Sequence, residues 1–418
     1  MAGQGRTRRE AIRSTAGLGL AVLLSASGCT SSETSGTDVR AVQRLLDSRA
    51  AAVLSRDRDG FLAALAPEAG RLRAAQLKQL QSLADVPLSS WEYRVGKVVR
   101  QGARAVAEVE LRYRIDGYDT APAAAARSVE LEEREDGWRL TADRAARGGP
   151  QLLWEQGDVD AVRGSHSLVL GVGQTRQRLR ALAASADRAA PAVSEAWREK
   201  WAGRVVILVP PSLQAMGALL GAPAAGYRGI AAVTTGETGA PGTSPADRVI
   251  VNPEAYQVLG GFGQSVVLTH ETTHVATRAH TSAATPLWLS EGFADWVAYR
   301  GTGYSAKQAA PELLRAVRRG ETPAALPADG DFSFGGDSGR LARAYEGGWL
   351  ACELIAEAWG EDRLRTFYRA VGAGRHRAGA VEKAMVEILG TTPADFTVRW
   401  RSYVEERLPA GGGERRGG

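Results

Sequence analysis

The chain has 418 residues, of which 44% are hydrophobic and 24% are charged, proportions that are ordinary for a globular protein. This length is enough for two domains. Leaving out the first 28 residues reduces the formal net charge from +5 to +2, because that segment holds four arginines and one glutamate. No basic stripe with interleaved aromatic residues stands out in the sequence, so nucleic-acid binding is not supported.

The first 28 residues have the composition of an export signal. An arginine-rich start is followed by small or apolar residues at positions 16–26, too few to span a membrane as a helix. The run Ala26-Ser27-Gly28-Cys29 resembles a bacterial lipobox, although that family usually has leucine where Ala26 stands. The resemblance implies that Cys29 is lipidated and anchors the mature chain to the outer face of the bacterial cell membrane. Ordinary signal-peptidase cleavage, which would release a secreted protein, is the alternative.

Two export routes fit this leader. The run Thr7-Arg8-Arg9 is similar to the start of a twin-arginine signal, but arginine pairs are also common in general secretion signals. Residues 29–38 are rich in serine, threonine and glycine, and we expect a flexible tether there.

Residues 39–144 are predicted to form a small α+β domain. Helical patterns come first, at residues 39–53, 59–65 and 72–83, and strand patterns follow. Apolar and charged residues alternate from Ala105 to Ile115, and the turn Asp136-Gly137 between two apolar alternations predicts a hairpin. This order resembles the cystatin-like cone of NTF2-like domains, which can hold a ligand. No cluster of catalytic residue types occurs here, so we favour a spacer or partner-docking module.

A second domain is expected at residues 165–408, after a linker at residues 145–164 and before a disordered tail at residues 409–418. It begins with an amphipathic helix at residues 175–201 and a buried strand at residues 204–210. Another short strand, residues 248–252, comes just before a helix at residues 264–280. The order of elements in the two domains predicts the α+β fold class.

The helix at residues 264–280 carries the run His270-Glu271-Thr272-Thr273-His274, an HExxH motif. Histidines at i and i+4 project from one face of a helix, about 5–6 Å apart at Cβ, so both imidazoles can reach one Zn²⁺. Glu271 lies close enough to act on a water bound to the metal.

A catalytic zinc ion needs a third protein ligand and an open position for water. Glu291 follows His274 by 17 residues, in a helical segment that begins near Pro286. A second helix packing back against the first would bring this carboxylate to the metal. Asp295 lies one turn after Glu291, where it can accept the free N–H of a zinc-bound histidine.

The HExxH motif and the downstream run Trp-Leu-Ser-Glu-Gly-Phe-Ala at residues 288–294 resemble the gluzincin metallopeptidases, most closely the peptidase MA-like family. The resemblance covers residues 165–408 and implies a zincin-like fold that binds Zn²⁺. It implies the following roles: His270, His274 and Glu291 as metal ligands, Glu271 as general base, and Asp295 as the partner of a ligand histidine.

In related gluzincins a downstream tyrosine often stabilises the oxyanion. Tyr345 fits this role best, and Tyr299, on the same helix face as Glu291 and Asp295, is the second choice. In the clan the strand before the metal helix forms the rim of the cleft and pairs with extended substrate, which assigns that role to residues 248–252. The spacing from His274 to Glu291 is slightly shorter than in the aminopeptidases of the clan, so their exopeptidase specificity is not carried over.

Three functions are compatible with these features. The first is an exported, lipid-anchored zinc metallopeptidase that acts on a peptide or protein, and the presence of all three ligands and the base favours it. The second is a non-catalytic zincin-fold lipoprotein that serves as a binding or scaffold module. The third is a zinc amidase that acts on cell-wall peptides, which the motifs do not separate from the first. The oligomeric state stays open.

Overall fold

The computed structural model describes residues 36–235, 246–334, 336–374 and 376–409. The predicted leader, Cys29 and most of the predicted tether and tail lie outside these ranges. Within them, no helix combines the length and the apolar composition needed to cross a membrane. The described chain consists of helices and two β-sheets, as expected for the α+β class.

Three helices open the described chain and pack against a four-stranded antiparallel sheet whose strands follow chain order. Along the second strand, the apolar residues from Ala105 to Ile115 are buried at every second position, as predicted. The predicted hairpin at Asp136-Gly137 is also confirmed, because Arg134 pairs with Gly137. The elements are α1 Gly36–Ser55, α2 Arg58–Ala63, α3 Gly70–Ser82, β1 Leu88–Gln101, β2 Arg104–Ile115, β3 Ala123–Arg134 and β4 Gly137–Ala145.

A second, five-stranded sheet follows. Its strands are β5 Val159–Arg163, β6 Ser167–Val172, β7 Val205–Val209, β8 Ala232–Thr234 and β9 Val249–Val251. Their spatial order is β5-β6-β7-β9-β8, with β6, β7 and β9 parallel and with β5 and β8 antiparallel at the edges. Because β5 lies within residues 145–164, part of the predicted linker belongs to this sheet.

The remaining elements are mostly helices. The α-helices are α4 Arg176–Trp197, α5 Leu213–Leu220, α6 Pro253–Gln257, α7 Gly261–Thr277, α8 Leu287–Tyr299, α9 Ala306–Ala309, α10 Pro311–Arg318, α11 Ser338–Trp359, α12 Glu361–Gly372, α13 Ala380–Ala384 and α14 Pro393–Arg407. The shorter turns are 3₁₀ helices at Leu153–Glu155, Ala224–Tyr227, Arg278–His280 and Asp329–Phe332, and a π-helical turn at Met385–Leu389.

The prediction that residues 248–252 form the rim of the cleft is wrong. Strand β9, which occupies residues 249–251, lies between β7 and β8 and pairs with both. Its backbone groups therefore have partners on both sides, and it offers no edge to a substrate. The edge strand on this side of the sheet is β8. It is only three residues long and lies in a segment rich in glycine, alanine and threonine, where the sequence pattern is weak.

Both faces of the second sheet are covered. In β6, Leu168 and Leu170 join the apolar core of the N-terminal domain, whereas Val169 packs on the side of α4 and α7. Strand β7 alternates in the same way. These strands are continuous apolar runs because both of their faces are buried. The N-terminal domain therefore covers one face of the sheet and shares one apolar core with it. The expectation of a spacer domain did not include this packing.

A buried ion pair fixes the N-terminal domain beside the β8–β9 end of the sheet. The guanidinium of Arg248 donates from Nη1 and Nη2 to the two carboxylate oxygens of Asp119, each at 2.7 Å. The Arg248 and Asp119 side chains are 6% and 2% exposed. Asp119 also accepts the backbone N–H of Ile115, so its carboxylate is held on both sides.

We expect Asp119→Ala to lower the free energy of unfolding by about 3–5 kcal/mol, because it leaves the Arg248 charge buried and unpaired. Urea unfolding followed by circular dichroism would measure this loss. Asp116→Ala is the matched control: Asp116 lies in the same loop but is exposed, and its removal should change stability by about 0.5 kcal/mol or less. Equal stability of the two variants would contradict the role given to the ion pair.

Candidate metal centre and cleft

Helix α7 places the HExxH motif in the interior of the second domain. Its second half is buried, including both histidines and Glu271, because α4, α8 and β8 pack around it. His270 and His274 lie one turn apart and turn their Nε2 atoms toward each other at 2.9 Å. The predicted geometry of two imidazoles on one helix face is present.

Glu291 reaches the same point from helix α8. Its Oε2 lies 3.2 Å from the Nε2 of His270 and 3.3 Å from the Nε2 of His274. Atoms that bind a tetrahedral zinc ion at about 2.0–2.2 Å lie about 3.3–3.6 Å from one another. The two distances from Glu291 are close to this range, and the two imidazole nitrogens are closer together, at 2.9 Å. Two imidazole nitrogens and one carboxylate oxygen are also a common donor set of catalytic zinc sites. The three residues therefore fit Zn²⁺ in both spacing and chemistry.

Asp295 orients the first histidine. Its Oδ1 lies 2.7 Å from the Nδ1 of His270, on the ring edge opposite to the ligand nitrogen. Burial lowers the pKa of His270, but Asp295 and Glu291 outweigh that effect and raise the pKa to about 10. Burial likewise disfavours the charged form of Glu291, yet the two imidazoles hold its pKa well below the usual range. The carboxylates of Asp295 and Glu291 therefore favour positive charge at the His270 imidazole.

Two glycines allow Glu291 to reach this position. A Cβ added at Gly292 would lie 2.2 Å from the backbone oxygen of Gly348, and one at Gly348 would lie 2.7 Å from the backbone oxygen of Trp288. Helices α8 and α11 therefore cross with their backbones in contact. The glycine after Glu291 in the downstream motif has a packing reason, because it brings the ligand helix against the helix that carries Tyr345.

Glu271 has a partner that the sequence did not reveal. Thr234, on the edge strand β8, is fully buried, and its hydroxyl donates to the Oε2 of Glu271 at 2.7 Å. The same hydroxyl lies 3.1 Å from the backbone oxygen of Glu271. Strand β8 thus fixes the side chain of the predicted general base. The only sequence signal was a threonine at the end of a short apolar run, 37 residues before Glu271.

Removing the hydroxyl of Thr234 should affect turnover more than substrate binding. We expect Thr234→Val, which keeps the side-chain shape, to lower kcat about 10- to 100-fold with a much smaller change in KM, because the Glu271 carboxylate loses a charge-assisted hydrogen bond. Thr234→Ser should restore most of the lost kcat. Steady-state kinetics of both variants test this, and a valine variant with unchanged kcat would rule out the positioning role.

A cavity of about 550 Å³ adjoins the ligand cluster. Asp295 and Tyr345 form part of its wall, and the ring centroids of Tyr345 and His270 are 6.1 Å apart. Tyr299 also lines this cavity, but its ring packs among Phe262, Tyr304 and Trp349. Of the two tyrosines chosen from the sequence, Tyr345 is the one in ring contact with a ligand histidine.

Comparison with solved structures shows distant similarity to zinc-dependent hydrolases. No family model and no curated protein matches the chain. Among solved structures, native yeast LTA4 hydrolase has 11% sequence identity and a TM-score of 0.36, and the match covers 80% of this chain and 49% of that one. An M1 zinc metallopeptidase from Deinococcus radiodurans has 15% identity and a TM-score of 0.34, covering 79% of this chain and 67% of that one. A mutant of that metallopeptidase, bound to a Tyr-Ser-Ala substrate, has 15% identity and a TM-score of 0.34, covering 77% and 65%.

The chain spans between about half and two thirds of the length of these structures. Their TM-scores and identities are low, so the function proposed below depends on the geometry of this chain's own residues.

Proposed function

We propose that this protein is a zinc-dependent metallopeptidase. The observation that carries the proposal is the triangle of donor atoms from His270, His274 and Glu291, whose spacing and chemistry fit a zinc ion. The Glu271 carboxylate lies on α7, the helix that carries both histidines. When bound, zinc would acidify a water molecule and polarise the carbonyl group of the substrate.

The chain's own residues supply the remaining steps. Glu271, held by Thr234, accepts the proton of the attacking water and returns it to the leaving amine. Asp295 keeps the Nδ1 of His270 protonated, so that its Nε2 can act as a ligand. Tyr345, at the wall of the adjoining cavity, donates a hydrogen bond to the oxyanion.

An extended peptide is the substrate shape that fits the sheet. Strand β8 pairs with β9 along one edge and with no strand of the described chain along the other. All three residues of β8 are buried, so a peptide can form main-chain hydrogen bonds with that edge only if the edge becomes accessible when substrate binds. The peptide would then lie beside Thr234 and therefore beside Glu271. This arrangement transfers to β8 the role that the sequence had assigned to residues 248–252.

The location of the protein is a separate proposal. We infer from the leader that the mature chain begins at a lipidated Cys29 and faces the outside of the cell membrane, with the NTF2-like domain and the peptidase domain beyond a short tether. Mass spectrometry of the N-terminal peptide from the membrane fraction tests this. A diacylglycerol-modified Cys29 is expected, whereas a soluble chain that begins elsewhere would contradict lipidation.

Profiling an unbiased peptide library with zinc-loaded protein tests the activity directly. We expect cleaved products in which a peptide bond has gained one water, and no products after chelation of the metal. Cell-wall stem peptides and cross-bridge peptides form a second arm, which identifies an amidase if they alone are hydrolysed. No hydrolysis in either arm, at one bound zinc per chain, would contradict the proposal and favour a non-catalytic binding module.

A further inference from the structure

A buried carboxylate lies in the wall of the cavity beside the ligand cluster. Glu346, the residue after Tyr345 on α11, is 9% exposed and lines this cavity. Its Oε1 and Oε2 accept the backbone N–H groups of Glu312 at 3.1 Å and Leu313 at 2.5 Å. These bonds use one acceptor site on each oxygen, and a carboxylate offers about four in total. No lysine, arginine or histidine of the described chain forms an ion pair with it.

The charges around Glu346 do not balance it. Asp295 lines the same cavity and adds negative charge, as does Glu312 at the start of α10. The only cationic side chain in the described wall is Arg228, which is exposed. Burial, and then Glu312 and Asp295, raise the pKa of Glu346 against the lowering effect of the two backbone N–H groups, to about 7.

The rest of the wall suits an aliphatic chain. Ile230, Leu341 and Trp349 are among the lining residues, and the volume of about 550 Å³ lies within the usual range of small-ligand pockets. An apolar wall with one buried carboxylate can receive the methylene stem of a basic group and pair with its charged end.

We propose that Glu346 binds a cationic group of the substrate, an ammonium or a guanidinium, in the cavity beside the metal centre. This proposal depends on the proposed peptidase function, since it names the substrate class of the same site. The group can come from a lysine or arginine side chain or from a free amino terminus, and both carry the same chemistry. Paired in this way, Glu346 would gain the counter-charge that the described chain does not supply.

A purely structural role is the competing explanation. The two backbone N–H groups that Glu346 accepts belong to the first turn of α10, so the carboxylate also caps that helix. Substituting Glu346 could therefore lower stability and activity without any effect on substrate choice. A damaged fold lowers hydrolysis of charged and neutral peptides alike, whereas loss of a cation site changes their ratio.

The experiment compares kcat/KM for matched peptides. In the first pair both peptides have an acetylated amino terminus, and one contains lysine where the other contains norleucine. In the second pair both peptides contain norleucine, and one has a free amino terminus where the other is acetylated. Parent protein should prefer the cationic member of at least one pair by about 10- to 100-fold. In Glu346→Gln the ratio of kcat/KM for the cationic peptide to kcat/KM for the neutral peptide should fall to about one. Glu353→Gln, which changes a half-buried carboxylate further along α11 and outside the cavity, is the control and should keep the preference.

The pair that shows the preference identifies the source of the cation. An unchanged preference in Glu346→Gln, or none in the parent protein, would overturn the proposal while peptide hydrolysis itself continued. If Glu346→Gln does not fold, competition by n-butylamine and n-butylguanidine against n-butanol in the parent protein replaces it. The cations should inhibit hydrolysis at least tenfold more strongly, and equal inhibition would overturn the proposal. If the parent protein hydrolyses no peptide at all, the result contradicts the proposed peptidase function and not the cation site.

Discussion

Glu271→Gln should lower the rate of peptide hydrolysis by about 10²- to 10⁴-fold while the protein still binds one zinc ion per chain. Glutamine has nearly the shape of glutamate but cannot accept the proton of the attacking water. The three ligand atoms belong to other side chains, so the metal site stays complete. Single-turnover kinetics on a peptide from the library, with metal content measured on the same sample, gives both quantities.

Two controls separate chemistry from damage to the fold. Glu353→Gln makes the same chemical change on a half-buried carboxylate outside the cleft and should leave the rate within about threefold of the parent. Thermal unfolding of Glu271→Gln should match that of the parent. A folded, zinc-bound Glu271→Gln protein that retained most of its activity would mean that another residue is the base.

Glu291→Ala is expected to abolish both zinc binding at stoichiometric metal and hydrolysis. It removes one of the three donor atoms that the described chain brings together and leaves two imidazoles, which form an incomplete catalytic set. Asp295→Asn is the variant for comparison. It weakens the partner of His270, and such a change lowers metal affinity by about 10- to 100-fold. The loss for Glu291→Ala should be larger. Competition for zinc with a fluorescent chelator measures both affinities.

The ranking of these two variants distinguishes a metal ligand from an orienting residue. Equal or reversed losses would mean that Asp295, and not Glu291, belongs to the metal. Retention of full zinc affinity in Glu291→Ala would place the metal elsewhere in the chain.

The clustering of His270, His274 and Glu291 could be predicted because much of its geometry is local. The spacing of His270 and His274 is fixed by the helix that both occupy, and Asp295 follows Glu291 by one turn for the same reason. Packing of α8 against α7 is then enough to bring Glu291 to the two histidines. The close approach of Gly292 to Gly348 shows why that motif contains a glycine, although the sequence does not reveal which helix it meets.

The rest of the site depends on contacts between distant segments. The sequence does not show which short strand lies at the edge of the sheet, so the rim was assigned to residues 248–252 instead of β8, and the bond from Thr234 to Glu271 was missed. The N-terminal domain was predicted correctly in its elements but not in its packing. The apolar faces of β6 and β7 look alike in sequence, and only the fold shows that one of them is covered by that domain.

Titration of zinc into metal-free protein, with peptide hydrolysis as the readout, tests the proposed metallopeptidase activity most directly. Activity should rise in proportion to added zinc and reach a plateau at one equivalent per chain. A protein that hydrolyses peptide equally well without zinc, or that remains inactive with one equivalent bound, would contradict it.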